Sequence, residues 1–139
     1  MEQAKNRPNA SFNFAWITSE RRYNIEGLRA KKKSGQEQKE LFELLDHLQI
    51  WSSATMNQLK SRGKREDGFE LMKISEFSHP VFDHFPVRLD EQTPVAVFRF
   101  SDYRLAALFQ TEQTAAFMEP DIFYVAAFDW DYTLYDHGA

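Results

Sequence analysis

Two acids near the C-terminal end, Asp129 and Asp131, have a spacing that suits phosphate chemistry. They follow an apolar run over residues 121–128 and are followed by Thr133. A carboxylate can act as a covalent nucleophile, and its hard oxygen atoms suit magnesium. The pattern therefore raises the hypothesis of a phosphoryl-transfer site at the end of a strand.

The run from Phe128 to Leu134 resembles the first motif of the haloacid dehalogenase-type phosphatases, an apolar strand that ends in Asp-x-Asp-x-Thr. The resemblance implies that Asp129 attacks phosphorus, that Asp131 protonates the leaving group, and that both help to hold magnesium. The alternative, which we favour, is a strand end whose acidic side chains meet solvent in a turn. We therefore assign no metal-binding residue.

A second set of residues combines cations with proton-transfer groups. Arg99 and Arg104 fall in predicted strands, and Tyr135 and His137 follow near the C-terminus. RNA cleavage needs a base for the 2′-hydroxyl, an acid for the 5′-oxygen and cations for the phosphate. If the chain cleaves RNA, these four residues are the catalytic candidates. The structural alternative is that each arginine pairs with a nearby acid: Asp102, Asp121 or Asp129.

The chain order of a helix pair, a meander with strand arginines, and a terminal tyrosine or histidine resembles that of the RelE/YoeB-type bacterial toxins. Those toxins are small ribosome-associated endoribonucleases in which two helices pack on an antiparallel sheet. The resemblance implies that Arg99 and Arg104 neutralise phosphate, and that Tyr135 and His137 match the terminal position. A RelE-like toxin endoribonuclease, acting on RNA or at the ribosome, is therefore one of two functions that we carry forward.

Charge is divided unevenly along the chain. Residues 1–65 hold 13 Lys and Arg against 7 Asp and Glu, a net +6, whereas residues 66–139 hold 4 against 14, a net −10. An acidic sheet repels RNA, because phosphate neutralisation dominates RNA binding, whereas it attracts a basic protein. The leading expectation is a binding protein, related to phages or mobile elements, that acts through protein–protein contacts of an acidic, aromatic-rich sheet half.

The candidate binding residues follow from this charge pattern and from the aromatic residues near the strands. The acidic candidates with their aromatic neighbour are Asp129, Trp130, Asp131 and Asp136, and the basic candidates are Arg21, Arg22, Lys31, Lys32 and Lys33. An aromatic sheet face that no element covers would form a protein-binding surface with an acidic rim. A homodimer is one assembly that such a surface allows, and whether the chain is an enzyme stays open.

Hydrophobic periodicity predicts the first elements that position these residues. Residues 1–10 are expected to form a flexible tail. Alternation of polar and apolar residues over 11–17 then predicts a half-buried strand, with Phe12, Phe14 and Trp16 on one face.

The period changes at Gln36, where leucines at helical spacing predict a helix with one apolar face. Ser52 or Ser53 could cap a second, shorter helix that ends near Gly63. Four strand signals follow, over residues 69–74, 94–100, 103–109 and 121–128. The eight-residue apolar run of the last one predicts an internal strand that is covered on both faces.

The predicted fold is α+β: an N-terminal strand, a helix pair and an antiparallel β-meander of about four strands, in one domain over residues 11–139. The length of 139 residues suits one core, and the absence of cysteine excludes disulfides and thiol chemistry. No apolar run is long enough to span a membrane, and the N-terminus lacks a signal-like segment. We expect a cytoplasmic protein that requires no cofactor and does not contact a membrane.

Overall fold

The computed structural model describes residues 7–29 and 36–136 and shows an α+β fold built on one five-stranded sheet. The strands are β1 (Ser11–Asn13), β2 (Phe69–Lys73), β3 (Pro94–Phe100), β4 (Tyr103–Leu108) and β5 (Ile122–Asp129). Their order is β1-β5-β4-β3-β2, with β1 parallel to β5 and every other neighbouring pair antiparallel. The predicted four-stranded meander is confirmed, and the N-terminal strand extends it beside β5.

Among the described residues between β1 and β2, three helices are present: α1 (Ile25–Arg29), α2 (Gln36–Ser52) and α3 (Met56–Arg62). The predicted helix pair corresponds to α2 and α3. The cap of α3 is Thr55 rather than Ser52 or Ser53, because Thr55 and Gln58 form a reciprocal capping box. Gly63 follows α3 with a φ of 72°, a left-handed value that suits glycine, and the helix ends there as predicted. Short 3-10 turns span Arg21–Tyr23, Lys64–Glu66 and Ile74–Glu76.

The strand β1 is shorter than predicted because a turn at Asn13 ends it. The Ala15 N–H donates to the Asn13 Oδ1 atom at 2.8 Å, which mimics a backbone turn. The prediction that Phe12 and Trp16 share one strand face is therefore wrong. Phe12 packs against the core on the helix side of the sheet, whereas Trp16 packs on the opposite side.

The chain is attached to the domain before β1 begins. Ala10, the last residue of the predicted tail, is buried, and its N–H donates to the Ala54 carbonyl at 2.8 Å. Arg7 forms an ion pair with Asp121 at 2.9 Å, next to β5. The packed domain therefore includes Ala10, while residues 1–6 of the predicted tail lie outside the described residues.

Both faces of the sheet are covered, which corrects the prediction of an open aromatic face. The helices α2 and α3 pack on one face, where Trp51 lies 4.6 Å from Phe98 between ring centroids. The opposite face, here called the second face, is covered by irregular segments around Tyr23, residues 81–85 and residues 134–135. These loop segments carry enough apolar side chains to close the face without a helix.

The strand β5 is internal and covered on both faces, as its apolar run predicts. The strand lies between β1 and β4, and residues 123–129 are all buried. Residues facing α2 and α3 belong to one hydrophobic cluster, and those on the second face belong to another. Among the described residues, the helices lack the combination of length and apolar character that a bilayer span needs.

Candidate functional site

A cavity of about 520 Å³ opens at the end of the sheet where β3 turns into β4. We call it the sheet-end pocket. It is lined by Arg65, Glu70, Leu71, Met72, Glu76, Arg99, Arg104, Tyr132, Tyr135 and Asp136. Three of the four predicted catalytic candidates, Arg99, Arg104 and Tyr135, therefore meet in one cavity, together with the predicted binding residue Asp136.

Strand register explains why the two arginines are neighbours. Arg99 and Arg104 are direct partners across the β3–β4 hairpin, and Arg104 is in turn opposite Asp129 of β5. Side chains alternate along a strand, so Arg99 shares the second face with the buried Val97. Glu70 of β2 is opposite Val97 and reaches the same pocket. Residues from three strands thus contribute polar groups to one end of the sheet.

The segment after β5 turns back and closes the pocket from the side. The Ser78 N–H donates to the Leu134 carbonyl at 2.8 Å, and Phe77 and Tyr135 form an isolated antiparallel bridge. The rings of Phe77 and Tyr135 make an edge-on contact with centroids 5.4 Å apart. This attachment places Tyr135 and Asp136 in the pocket wall, whereas the candidate His137 lies outside the described residues.

The two strand arginines differ in exposure. Arg99 is exposed and its Nε donates to the Ser101 carbonyl at 3.4 Å, whereas Arg104 is buried and its Nη1 donates to the Tyr103 carbonyl at 3.1 Å. Within residues 7–29 and 36–136, the buried Nε of Arg104 has no hydrogen-bond partner. A buried donor of this kind favours an acceptor such as a phosphate oxygen.

Tyr135 is a buried phenol in the wall of the sheet-end pocket. Burial raises the pKa of the Tyr135 phenol above its ordinary value, and the positive charge of Arg104 only partly opposes this effect. The negative charges of Glu70 and Asp129 raise the pKa further. The phenol therefore stays protonated at neutral pH beside a guanidinium group.

Two of the predicted acidic contact residues are not on the surface. Asp129 is fully buried, and its Oδ1 accepts the Thr133 N–H at 3.1 Å. Trp130 is 3% exposed, packs with the helix-side core and donates from Nε1 to the Asn24 carbonyl at 2.8 Å. Their predicted role in direct partner contacts is therefore wrong, because the end of β5 is covered on both sides.

The Asp-x-Asp-x-Thr run forms a closed turn in the structure. The Thr133 hydroxyl donates to Asp131, and the Thr133 N–H donates to Asp129. Asp131 also accepts from the Nε atom of Arg22 at 2.8 Å. The predicted turn is present and Asp131 is exposed in it, but Asp129 is fully buried and does not meet solvent as predicted. No phosphatase site is proposed for these acids.

Replacing Asp131 by Asn should remove an acid-sensitive part of the stability. Burial alone would raise the pKa of Asp131, but hydrogen bonds from Thr133 and Arg22 outweigh it and hold the pKa below its ordinary value. The folded state therefore binds this proton more weakly than the unfolded chain, so the stabilisation is present at neutral pH and is lost as the pH falls below the usual Asp range. The urea midpoints of the wild-type protein and of Asp131→Asn should differ at neutral pH and converge in acid. A difference between the two midpoints that does not change with pH would contradict the lowered pKa of Asp131.

A second cavity of about 560 Å³ collects three arginines, and we call it the arginine pocket. It is lined by Arg21, Arg22, Glu26, Gly27, Arg29, Trp130 and Asp131. It contains the predicted basic binding residues Arg21 and Arg22, and both are exposed. The other basic candidates, Lys31, Lys32 and Lys33, lie outside the described residues.

Among the residues that line the sheet-end pocket, Glu70, Glu76 and Tyr132 are polar or aromatic side chains that the sequence did not single out as site residues. Alternation in β2 places Glu70 on the other face of the strand from the core-facing Phe69. The strand register is needed to show which residues Glu70 contacts. Across the described ranges, no group of three or more His, Asp or Glu side chains is arranged to hold a metal ion. Comparisons with protein-family models, with curated proteins and with solved structures found no match.

Proposed function

We propose that this protein is an endoribonuclease of the RelE/YoeB type, and that the sheet-end pocket binds and cleaves RNA. The supporting observation is that Arg99, Arg104 and Tyr135, which are far apart in the chain, line the same cavity. Cations, a protonated phenol and carboxylates are the groups that cleavage of a phosphodiester by its own 2′-hydroxyl requires.

Each group has a role in the proposed reaction. The Glu70 carboxylate takes the proton of the 2′-hydroxyl, whose oxygen attacks the adjacent phosphorus atom. The bond from phosphorus to the 5′-oxygen breaks, and the leaving oxygen receives a proton from Tyr135. Arg99 and Arg104 neutralise the charge that develops on the phosphate oxygens. The products are a 2′,3′-cyclic phosphate and a 5′-hydroxyl end.

The acidity of the C-terminal half opposes RNA binding less than its net charge of −10 indicates. Asp121 pairs with Arg7, and Asp131 pairs with Arg22, so two of its acids are partly compensated by cations of the N-terminal half. Asp129 is fully buried beside Arg104. The sheet-end pocket itself is lined by three arginines and three carboxylates, so its formal net charge is zero rather than strongly negative.

The test is cleavage by the purified protein of RNA, both free in solution and as messenger RNA on bacterial ribosomes. Both substrates are included because the RelE/YoeB resemblance implies action at the ribosome. We expect cleavage of at least one RNA substrate and none of a DNA of the same sequence. Intact RNA in both formats, at protein concentrations equal to that of the substrate, would refute the proposed activity.

Protein binding is the second function that we propose, and exposed apolar residues place its contact surface on α2 rather than on the sheet. Four large apolar residues on that helix are exposed, and three of them lie close together: Leu41, Phe42 and Leu45, at 41%, 58% and 54%. Leu41 and Leu45 are one turn apart, so together with Phe42 they form a continuous apolar face. Such a face on a small protein marks a contact surface.

The occupant that we propose for this α2 face is a second copy of the chain. Lys39 and Asp46 lie two turns apart along the same edge of the apolar face. In an antiparallel pair that places Phe42 against the partner's Leu45, Lys39 of each copy approaches Asp46 of the other. A cavity of about 350 Å³ beside Phe42 leaves room for an inserted side chain. The face is thus complementary to itself, as a two-fold interface requires.

Charge reversal tests this dimer. We expect sedimentation of the purified protein to show a concentration-dependent dimer, and Lys39→Glu to shift it towards monomer by opposing Asp46. Adding Asp46→Lys should restore the dimer, because the pair is then reversed in both copies. Phe42→Glu should abolish it, whereas Phe117→Glu, at an exposed apolar residue outside α2, should not. A monomer at every concentration, or no rescue by the double reversal, would remove the proposal.

A further inference from the structure

The arginine pocket has cationic capacity that its own acids do not use. Arg22 pairs with Asp131 at 2.8 Å, and Arg29 pairs with Glu26 at 3.2 Å. Within the described part of the chain, Arg21 forms no hydrogen bond or ion pair. Arg22 donates to Asp131 through Nε, and its guanidinium group also lies 5.7 Å from the centroid of the Tyr23 ring. A net positive charge therefore faces the 560 Å³ cavity.

The arginine pocket and the sheet-end pocket are lined in part by consecutive residues of one short segment. Trp130 and Asp131 line the arginine pocket, and the next residue, Tyr132, lines the sheet-end pocket. The hydrogen bonds of Thr133 with Asp129 and Asp131 hold this segment in a turn, and we call residues 130–132 the ridge because they contribute to both cavities. A ligand that crosses the ridge would reach both.

Tyr132 at the top of this ridge has an unusual backbone conformation. Its φ is 62°, in the left-handed region that a bulky residue rarely adopts, and its side chain is 50% exposed. Such strain persists where surrounding contacts hold it, and it is concentrated at functional positions. The conformation presents an aromatic ring to solvent between the positively charged arginine pocket and the arginines of the sheet-end pocket, and such a ring can act as a stacking platform for a base.

We infer that the arginine pocket is a second phosphate subsite for single-stranded RNA. A strand whose scissile phosphate lies in the sheet-end pocket crosses the ridge, stacks one base on Tyr132 and places a neighbouring phosphate against Arg21, Arg22 and Arg29. This inference rests on the proposed function, since it takes RNA as the ligand of both cavities. It gives the acidic protein a means of holding RNA beyond the cleavage site.

The test measures binding separately from cleavage. The probe is a fluorescent RNA oligonucleotide that is 2′-O-methylated at every position, which blocks attack by the 2′-hydroxyl, and the readout is anisotropy over a salt series. Arg21→Glu should weaken binding several-fold and lower the slope of log affinity against log salt by about 0.7, the value for one phosphate contact on a single strand. Tyr132→Ala should weaken binding roughly tenfold, as loss of one stacked base does.

Arg88→Glu is the matched control, because Arg88 is exposed and lines neither cavity. It should leave both the affinity and the salt slope close to those of the unchanged protein. If Arg21→Glu keeps the affinity and the salt slope of the unchanged protein, the inference is overturned. It is also overturned if Arg88→Glu weakens binding as much as Arg21→Glu does. If the unchanged protein binds the probe through Arg21 but cleaves no RNA, the proposed function fails while the subsite stands.

Discussion

Arg104→Gln is expected to lower the rate of RNA cleavage by about 10²- to 10³-fold, the usual effect of removing one preorganised group that stabilises transition-state charge. Arg104 is buried at the floor of the sheet-end pocket, beside Asp129 in register, and its Nε atom has no partner in the described chain. Glutamine keeps a polar side chain but removes the positive charge. The measurement is the single-turnover rate of cleavage of the RNA substrate that the protein cuts best.

Two further variants separate catalysis from folding. Because Arg104 is buried, its replacement can also lower stability, which a thermal unfolding curve of the same sample reports. Arg99→Gln changes an exposed arginine of the same pocket and should lower the rate without affecting the unfolding temperature. Arg88→Gln, outside the pocket, should change neither quantity. A folded Arg104→Gln protein with the wild-type cleavage rate, or normal cleavage by Arg99→Gln, would contradict the roles assigned to these arginines.

Trp51→Ala should lower the free energy of unfolding by about 3–5 kcal/mol, the range for truncating a large aromatic side chain in a core. Trp51 is fully buried near the C-terminal end of α2, and its ring contacts those of Phe98 and Phe12, with centroids 4.6 and 5.8 Å away. It therefore connects the long helix to β3 and to β1. Denaturant unfolding followed by far-UV circular dichroism measures the loss.

Trp51→Phe is the matched control for that prediction. Phenylalanine keeps an aromatic ring against Phe98, and it removes the buried indole N–H, which has no partner among the described residues. An unpartnered buried donor costs about 1–3 kcal/mol, so its removal should offset part of the lost packing. We expect Trp51→Phe to be much less destabilising than Trp51→Ala; equal losses for the two would mean that Trp51 is not packed as described.

The strands and the helices α2 and α3 were predictable because their signals are local, whereas the short α1 was not predicted. The apolar runs of β3, β4 and β5 and the leucine spacing of α2 fix both the type and the approximate ends of these elements. The cover of the second face could not be predicted in the same way. It is made by irregular segments with no periodicity, in which Val81, Phe82 and Phe85 become core residues only through contacts with distant strands.

The candidate site was partly predictable for the same reason. Arg99 and Arg104 each lie one residue inside the strand ends that flank a two-residue turn, so their pairing follows from a hairpin. Tyr135 stood out by its position near the C-terminus. Glu70 could not be identified from the sequence, because its place in the pocket depends on the β2–β3 register. The surface role assigned to Asp129 and Trp130 was wrong because their burial depends on the chain packed on each side of β5.

The most direct test of the central claim is cleavage of an RNA in which one 2′-hydroxyl, that of the nucleotide on the 5′ side of the mapped cut, is replaced by hydrogen. If the 2′-oxygen attacks, cleavage at that position should disappear while binding is retained. The unmodified RNA should yield a 2′,3′-cyclic phosphate and a 5′-hydroxyl end. Continued cleavage of the deoxy-substituted RNA at the same position would contradict attack by the 2′-oxygen, and with it the chemistry proposed for the sheet-end pocket.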